Sequence, residues 1–198
     1  MKSSDQAQIQ QAFTQQAAEF ESNHMNFSAQ DYLDYVVQKI APSKTDAVLE
    51  AAAGTCAYGR AIAPYAGNVA CLDITPAMLS VGKSEAEKNH LDNMTFVLGD
   101  AAELPFPNGS FDIVLSRLAF HHFPDVKQPF AEMVRVLKPG GKLVLIDMGA
   151  AEEPLRETED GIEKMRDPSH VRNLSGNEMH LVILDAKTMK RATQAILK

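Results

Sequence analysis

The chain has 198 residues, of which 45% are hydrophobic, so it can bury one sizeable core but is short for two ordinary domains. Its 19 basic and 26 acidic residues give a net charge of −7, which argues against nucleic acid as the main partner and favours a small-molecule substrate. The N-terminus lacks the apolar centre of a signal peptide, no run approaches the roughly 18 apolar residues of a membrane span, and the two cysteines indicate neither a disulfide framework nor a metal cluster. We therefore expect a cytoplasmic protein without a metal.

Two helices are predicted before the first strand. An amphipathic helix is indicated by apolar residues spaced by three and four positions, namely Ile9, Phe13, Ala17 and Phe20. A second helix is expected after Ser28, which forms a capping-box pattern with Asp31. It ends at Ala41-Pro42.

Strands and helices then alternate along the chain. Strands are predicted at Ala47–Ala51, Val69–Ile74, Met94–Leu98, Phe111–Ser116 and Lys142–Met148, and helices at about 57–66, from Thr75-Pro76 onward and at about 126–137. Parallel neighbours require crossover connections, so this order predicts an α/β fold of the Rossmann-like, doubly wound kind, with a mainly parallel sheet and helices on both faces. Ligands of such folds bind beyond the carboxyl ends of the strands.

The segment after the first strand is a candidate ligand loop. Glu50 is followed by small residues up to Gly54, Thr55 and Cys56, and small residues before a helix let a ligand approach the backbone. A tight turn without a ligand is the alternative. Asp73 stands 19 residues after Gly54, near the roughly 20 expected of an acid that binds ribose hydroxyls. Asp73 could instead cap the next helix, but Thr75 is the better N-cap candidate.

Two further strand ends carry polar residues. Asp100, followed by Ala101, could accept the amine of an adenine, or form a capping pair with Glu103; the two roles are compatible. After the fourth strand, His121 and His122 are candidates for contacting a substrate or accepting its proton. The alternative for each histidine is a structural bond to a backbone carbonyl. Neither has a partner at metal-ligand spacing.

Four blocks in order give the chain a family resemblance. They are Val48-Leu-Glu50 with its loop, Leu72-Asp73-Ile-Thr-Pro-Ala-Met78-Leu, Leu104-Pro-Phe-Pro-Asn-Gly-Ser-Phe-Asp112-Ile-Val, and Val134-Arg-Val-Leu-Lys-Pro-Gly-Gly141. From about Ala47 to Met148, the chain resembles class I S-adenosylmethionine-dependent methyltransferases, of the group similar to ubiquinone and menaquinone C-methyltransferases (methyltransferase type 11). The resemblance implies S-adenosylmethionine as cofactor, S-adenosylhomocysteine as product and a small-molecule acceptor.

The resemblance also implies roles for matched residues. Glu50 would lie near the methionine amino group, and the cofactor would pass over the loop at Ala52, Gly54, Thr55 and Cys56. Asp73 would hold the ribose hydroxyls. The remaining matched positions would surround the adenine, the ribose and the methionine end of the pocket: Ile74, Met78, Asp100, Ala101 and Ser116. His122 or His121 would serve as a base if the acceptor needs one, and the segment from Phe13 to Phe20 would form a lid.

The chain departs from the family pattern in two places. Ala52 and Cys56 replace the outer two glycines of the loop, and Cys56 could narrow the approach to the methionine moiety. Only 50 residues follow Met148. Leu155–Met165 looks helical and Leu181–Leu184 is the one strand-like run, so we expect a sheet that lacks part of the usual C-terminal antiparallel edge, completed by the tail or by homodimerisation. The single structural domain would comprise a helical lid (1–41), a cofactor-binding core (42–150) and a tail (151–198).

Two other functions stay open at this point. An NAD-dependent oxidoreductase is suggested by the degenerate G-x-G-x-x-G pattern of Gly54, Cys56 and Gly59, together with Asp73. The cysteine at the second position and the repulsion between Glu50 and two phosphates argue against it. The short C-terminus leaves a catalytically silent cofactor-binding or scaffolding protein as the third interpretation.

Overall fold

The computed structural model describes residues 10–11, 13–15, 17, 20, 30–123, 125–148, 170–172, 178–184 and 188. Apart from the N-terminal helix, four α-helices and seven strands lie within them. The helices are α1 (Gln30–Ile40), α2 (Ala57–Ile62), α3 (Pro76–Lys88) and α4 (Lys127–Val136). The strands are β1 (Ala47–Ala51), β2 (Asn68–Asp73), β3 (Met94–Leu98), β4 (Phe111–Arg117), β5 (Leu137–Met148), β6 (His170–Arg172) and β7 (Glu178–Leu184).

All seven strands form one sheet in the order β3-β2-β1-β4-β5-β7-β6. The five strands from β3 to β5 are mutually parallel, and β7 runs antiparallel to both β5 and β6. The predicted Rossmann-like fold class is confirmed. The order reverses between β1 and β4, so the crevice at their carboxyl ends is the place where this topology binds ligands.

The two faces of the sheet are covered by different helices. On one face, α1 packs with α2 through Leu33, Val36 and Ile40, over Val48 of β1. On the other face, Phe130 and Met133 of α4 cover Leu49 and its neighbours. Because both faces are buried, the central strands are continuously apolar, and the polar residues in them are conspicuous. Glu50 and Ser116 are the clearest examples, at 2% exposure each.

The C-terminal edge is more complete than expected. The strand-like run at Leu181–Leu184 is confirmed and extends back to Glu178, and β6, which was not predicted, pairs with it over only three residues. The tail therefore completes the sheet. The prediction of a homodimer depended on β5 being an unpaired edge strand. Because β7 pairs with β5, this reason for dimerisation does not hold.

Other boundaries differ from the predicted ones for local reasons. β5 begins at Leu137 rather than Lys142, because Leu137 already pairs with Phe111; the register then shifts, with the extra residues in β5, before Ile113 pairs with Lys142. Helix α2 ends at Ile62 rather than near Ala66. The N-terminal helix is seen at residues 10–11 and 13–15, whereas Ser28 and the predicted helix at Leu155–Met165 lie outside the described residues. No helix of the described residues is long and apolar enough to cross a membrane.

Candidate active site

The loop after β1 has an unusual backbone. Ala52, Gly54 and Cys56 all have positive φ angles, of 52°, 54° and 61°. This left-handed conformation is natural for glycine and costs a residue with a Cβ about 1 kcal/mol or more. The two departures from the family pattern therefore stand at the two positions where a glycine would relieve strain. The loop keeps its shape through backbone bonds from Ala53 N to Leu72 O (2.9 Å) and from Cys56 N to Ala53 O (2.8 Å).

Glu50 lies beneath this loop on the α2 side of the sheet. Its Oε2 accepts the backbone N–H of Gly59 at 2.6 Å, and the Cys71 thiol lies 3.8 Å from the same oxygen. Burial raises the pKa of Glu50 to about 7, against the opposing effect of the Gly59 hydrogen bond. Among the described residues, no hydrogen bond reaches its Oε1. That oxygen is the one that can receive a ligand.

Gly59 has a packing role. A Cβ at this position would lie 2.5 Å from Cys71 Sγ and 2.9 Å from Glu50 Oε2. Only a glycine lets helix α2 approach β1 and β2 closely enough for its backbone to donate to Glu50. The third glycine of a dinucleotide fingerprint has the same packing role, so Gly59 does not distinguish between the two cofactor classes.

Asp73 ties the loop to the end of β2. Its Oδ2 accepts the N–H of Gly54 at 2.7 Å and its Oδ1 accepts the N–H of Thr75 at 2.8 Å. Thr75 is the N-cap of α3, as predicted, although it makes no side-chain capping bond. Burial raises the pKa of Asp73, while these N–H donors act in the opposite direction. Each oxygen retains a second lone pair for a ligand.

The residues predicted to surround a nucleoside lie around the ends of β2 and β3. Met78 and Ala101 are buried, and Ile74 is half-buried with its carbonyl accepting Gln10 Nε2 at 2.6 Å. Asp100 accepts the N–H of Ala102 at 2.9 Å through Oδ1. This bond and the backbone bond from Glu103 N to Asp100 O (3.0 Å) form a local turn, whereas the predicted side-chain capping pair with Glu103 stays a prediction.

The end of β4 forms the opposite wall of the crevice. Ser116 Oγ is buried and has no hydrogen-bond partner among the described residues. Leu118 has a positive φ of 47° and donates its N–H to Ile146 O at 2.7 Å. The chain thus turns sharply directly after Arg117, whose guanidinium carbon lies 5.2 Å from the centroid of the Tyr58 ring.

The two histidines follow in a short 3₁₀ turn at Phe120–His122. Asp147 holds this turn by accepting the N–H of Phe120 at 2.9 Å. His122 is exposed, and its ring lies edge-on to Phe13 with centroids 5.2 Å apart. The side chain of His121 lies outside what the structure describes, so its predicted role stays a prediction.

The described residues of the N-terminal helix, 10–11 and 13–15, bridge the crevice. Gln10 reaches Ile74 beyond β2, while Phe13 reaches His122 beyond β4. In the sequence analysis, only the family resemblance predicted that this segment covers the site. Arg117, Tyr58 and Tyr32 were not identified as candidates, although a cation directly after a buried strand was a usable signal. Among the described residues, no cluster of three or more potential metal ligands is found.

Comparison with known proteins gives the class of the central region. Residues 49–145 match the model of a family described as a methyltransferase domain. The uncharacterized methyltransferase YcgJ of Bacillus subtilis (strain 168) is 41% identical over 132 residues, which are 66% of this chain and 52% of that protein. Demethylmenaquinone methyltransferase of Listeria monocytogenes serotype 4b (strain CLIP80459) is 44% identical over 81 residues, 41% of this chain and 34% of the relative.

Solved structures agree with the fold. The crystal structure of YcgJ superposes with a TM-score of 0.59 and 36% identity, covering 72% of this chain and 62% of that one. A SAM dependent methyltransferase from Aquifex aeolicus has a TM-score of 0.66 at 17% identity, covering 88% and 97%, which shows the fold alone. The chain spans about half the length of YcgJ. The predicted class I methyltransferase domain is confirmed over residues 49–145.

Proposed function

We propose that the protein is an S-adenosylmethionine-dependent methyltransferase that acts on a small-molecule acceptor. The observation that carries this proposal is the placement of two buried carboxylates, Glu50 and Asp73, on either side of one loop at the topological switch point. Such a pair matches a ligand with a cationic end and a ribose diol. The methyltransferase domain match over residues 49–145 supports the same class.

Glu50 would hold the amino group of the cofactor's methionine end. Its Oε2 is engaged by Gly59 N, which fixes the carboxylate and leaves Oε1 as the acceptor for an ammonium. A cation beside a buried carboxyl favours its ionised form, so ligand binding would lower the pKa that burial has raised. The cofactor would lie against the backbone of the loop at Ala52, Gly54, Thr55 and Cys56.

Asp73 would bind the ribose hydroxyls through the lone pairs that the two backbone donors leave. Because both its oxygens are already fixed by N–H groups, the carboxylate is pre-organised and loses little conformational freedom on binding. Ile74 and Met78 would flank the nucleoside, and Asp100 with Ala101 would meet the adenine edge. Ser116 would face the methionine end, where its buried hydroxyl still needs a partner.

The cofactor supplies an electrophilic methyl group when bound; the protein's part is to align an acceptor with it and exclude water. Ser116 and the turn at Leu118 shape one side of that position, and Phe13 with His122 covers it. His122 or His121 would take a proton from an oxygen or carbon acceptor that needs activation. Unchanged turnover after replacing both by Ala would remove them from the mechanism.

The surroundings of the proposed acceptor position favour an apolar, planar molecule. Phe13, which covers this position, packs edge-on against both Phe20 and His122. Aromatic side chains in this arrangement suit a ring-shaped acceptor. The name of demethylmenaquinone methyltransferase indicates a quinone-type substrate for that relative, which agrees in chemistry with these side chains. The net charge of −7 favours a small molecule over nucleic acid.

The oxidoreductase alternative has less support. It favours a glycine at the second position of the fingerprint, where a pyrophosphate passes close to the backbone, and this chain has Cys56 there. The carboxylate of Glu50 would repel two phosphates. A catalytically silent protein would have the same cofactor site as an active methyltransferase, so only a measurement of turnover distinguishes the two.

Calorimetry on the full chain tests the proposal. We expect S-adenosylmethionine and S-adenosylhomocysteine to bind, and Asp73→Ala to weaken both by at least 10-fold through the loss of charge-assisted hydrogen bonds. Asp92→Ala, an exposed acid beyond the site, is the control and should bind like the wild type. Binding of NAD with no binding of either methionine nucleoside would overturn the proposal. Cofactor that binds but is never consumed with a panel of quinones and phenols would favour the silent protein.

A further inference from the structure

Arg117 occupies a distinctive position at the end of β4. Its side chain lies on the face covered by α1 and α2, half-buried, with its guanidinium over the ring of Tyr58. Tyr32 of α1 packs edge-on against Tyr58 at 6.3 Å. Helices α1 and α2 thus provide an aromatic wall against which the guanidinium is held.

Glu50 shares this face. β1 and β4 are adjacent parallel strands, with Glu50 beside Leu115, so Arg117 stands near the carboxylate at the same end of the sheet. Burial raises the pKa of Glu50, and the positive charge of Arg117 is among the influences that act against this rise. Arg60 also acts on Glu50, more weakly, and is engaged in another interaction.

The guanidinium has few protein partners for its donors. Among the described residues, the structure records its contact with the Tyr58 ring but no salt bridge or hydrogen bond. Its five N–H donors are therefore available to a ligand, and a planar guanidinium fits a carboxylate in a two-point contact. Arg117 can thus receive an anionic ligand group.

The chemistry of the proposed cofactor supplies such an anion. S-adenosylmethionine ends in an α-amino acid, whose ammonium and carboxylate are attached to one carbon. If Glu50 receives the ammonium, the carboxylate must lie directly beside it. Asp73, the other buried acid at the loop, would repel that carboxylate, whereas Arg117 would attract it.

We propose that Arg117 binds the carboxylate at the amino-acid end of the cofactor, so that Glu50 and Arg117 together recognise its zwitterion. The inference rests on the proposed function. It assigns Arg117 to cofactor binding rather than to the acceptor, and it gives the Tyr58 ring the role of holding the guanidinium in place.

Two ligands that differ only in the carboxylate test this assignment. Calorimetry would compare S-adenosylhomocysteine with its decarboxylated analogue, S-adenosyl-3-thiopropylamine, on the wild type and on Arg117→Met. We expect the variant to bind S-adenosylhomocysteine on the order of 10- to 100-fold more weakly, the usual effect of losing a hydrogen-bonded charge. The analogue should bind both proteins equally. Arg117→Lys, which keeps the charge without the two-point geometry, should lie between them.

The controls separate the explanations. Lys39→Met removes another cation that lies over a tyrosine ring, that of Tyr35, and should leave both affinities unchanged. If Arg117→Met weakens both ligands equally, or neither, the assignment is overturned while the proposed function stands. If the wild type binds neither ligand, the proposed function itself fails and this inference fails with it. Thermal unfolding of each variant shows that it is folded.

Discussion

Arg135 and Glu132 form a salt bridge one helical turn apart on α4, with Arg135 Nε donating to Glu132 Oε1 at 2.7 Å. The same guanidinium donates to Leu104 O, Phe106 O and Asn108 Oδ1 at 2.8 to 2.9 Å. Glu132 in turn accepts the N–H of Leu104 at 2.8 Å. The pair therefore clamps the loop before β4 onto α4.

Breaking this clamp should destabilise the fold. Arg135→Met leaves the carbonyls of Leu104 and Phe106 without their donor, and we expect a loss of about 1 to 2 kcal/mol in the free energy of unfolding. Urea denaturation measures it. Lys127→Met, an exposed cation on the same helix, is the control. A loss below about 0.5 kcal/mol, the usual range of surface substitutions, would show that the clamp is not a stabilising feature.

Replacing Ala52 by glycine should not destabilise the loop and should stabilise it by up to about 1 kcal/mol. Its φ of 52° is strained for alanine, and relief of this strain outweighs the greater freedom of glycine in the unfolded chain. The matched control is Ala53→Gly in the same loop. Ala53 is not among the described residues with positive φ, so Ala53→Gly should lower the free energy of unfolding by about 0.5 to 1 kcal/mol. Equal losses for both variants would contradict the strain argument.

The stability of the ligand-free protein should fall as the pH rises through the titration of Glu50. Its pKa is raised from 4.5 to about 7 by burial, so its contribution is fully present below pH 4.5 and is lost as the pH rises through about 7. Glu50→Gln can still accept from Gly59 but does not titrate. The difference in unfolding free energy between the two proteins should shift by about 2 to 3 kcal/mol between pH 4.5 and pH 8, in favour of the variant at the higher pH.

Denaturant titrations of both proteins at several pH values measure this difference. Asp73 also has a raised pKa, but it is present in both proteins and largely cancels in the comparison. A difference that does not vary with pH would mean that Glu50 keeps an ordinary pKa in the fold.

Gly82 should be intolerant of a larger residue. A Cβ there would lie 2.7 Å from the carbonyl oxygen of Thr55 and 2.8 Å from Cys56 Sγ, so α3 or the loop would have to move. We expect Gly82→Ala to destabilise by about 1 to 3 kcal/mol and to weaken nucleoside binding by displacing the loop. Ser80→Ala, exposed on the same helix, should change neither stability nor affinity. Native stability and affinity in Gly82→Ala would show that the loop has room to adjust.

Removing the contacts of residues 10–15 should speed cofactor release. Gln10→Ala loses the bond to Ile74 O, and Phe13→Ala loses the ring contact with His122. Stopped-flow displacement of S-adenosylhomocysteine should show a faster dissociation rate in both variants, with a smaller effect on association. Gln11→Ala, exposed in the same segment, is the control. Unchanged dissociation in Phe13→Ala would mean that this segment does not cover the bound cofactor.

The local sequence pattern was sufficient to predict the alternating strands and helices of the core. Short apolar runs bounded by turn and helix signals predict strands, so the buried β1 and the edge strand β3 were both placed at their observed limits. The motif residues at the strand ends, among them Glu50 and Asp73, were identified for the same reason: a polar residue after an apolar run is visible in the sequence. Ala52 and Cys56 were also recognised as departures, but only the backbone showed that both have positive φ.

The sequence by itself determined the fold class, the alternation of strands and helices in the core and the family of the central region, because these depend on local periodicity and contiguous motifs. Tertiary structure decided the rest, because it depends on contacts between residues far apart in the chain. The bond from Gly54 N to Asp73, the reach of Gln10 to Ile74 and the pairing of β7 with β5 are of this kind. So is the position of Arg117 over Tyr58, beside Glu50: no spacing predicts it, since three separate elements meet there only when the sheet and its helices pack.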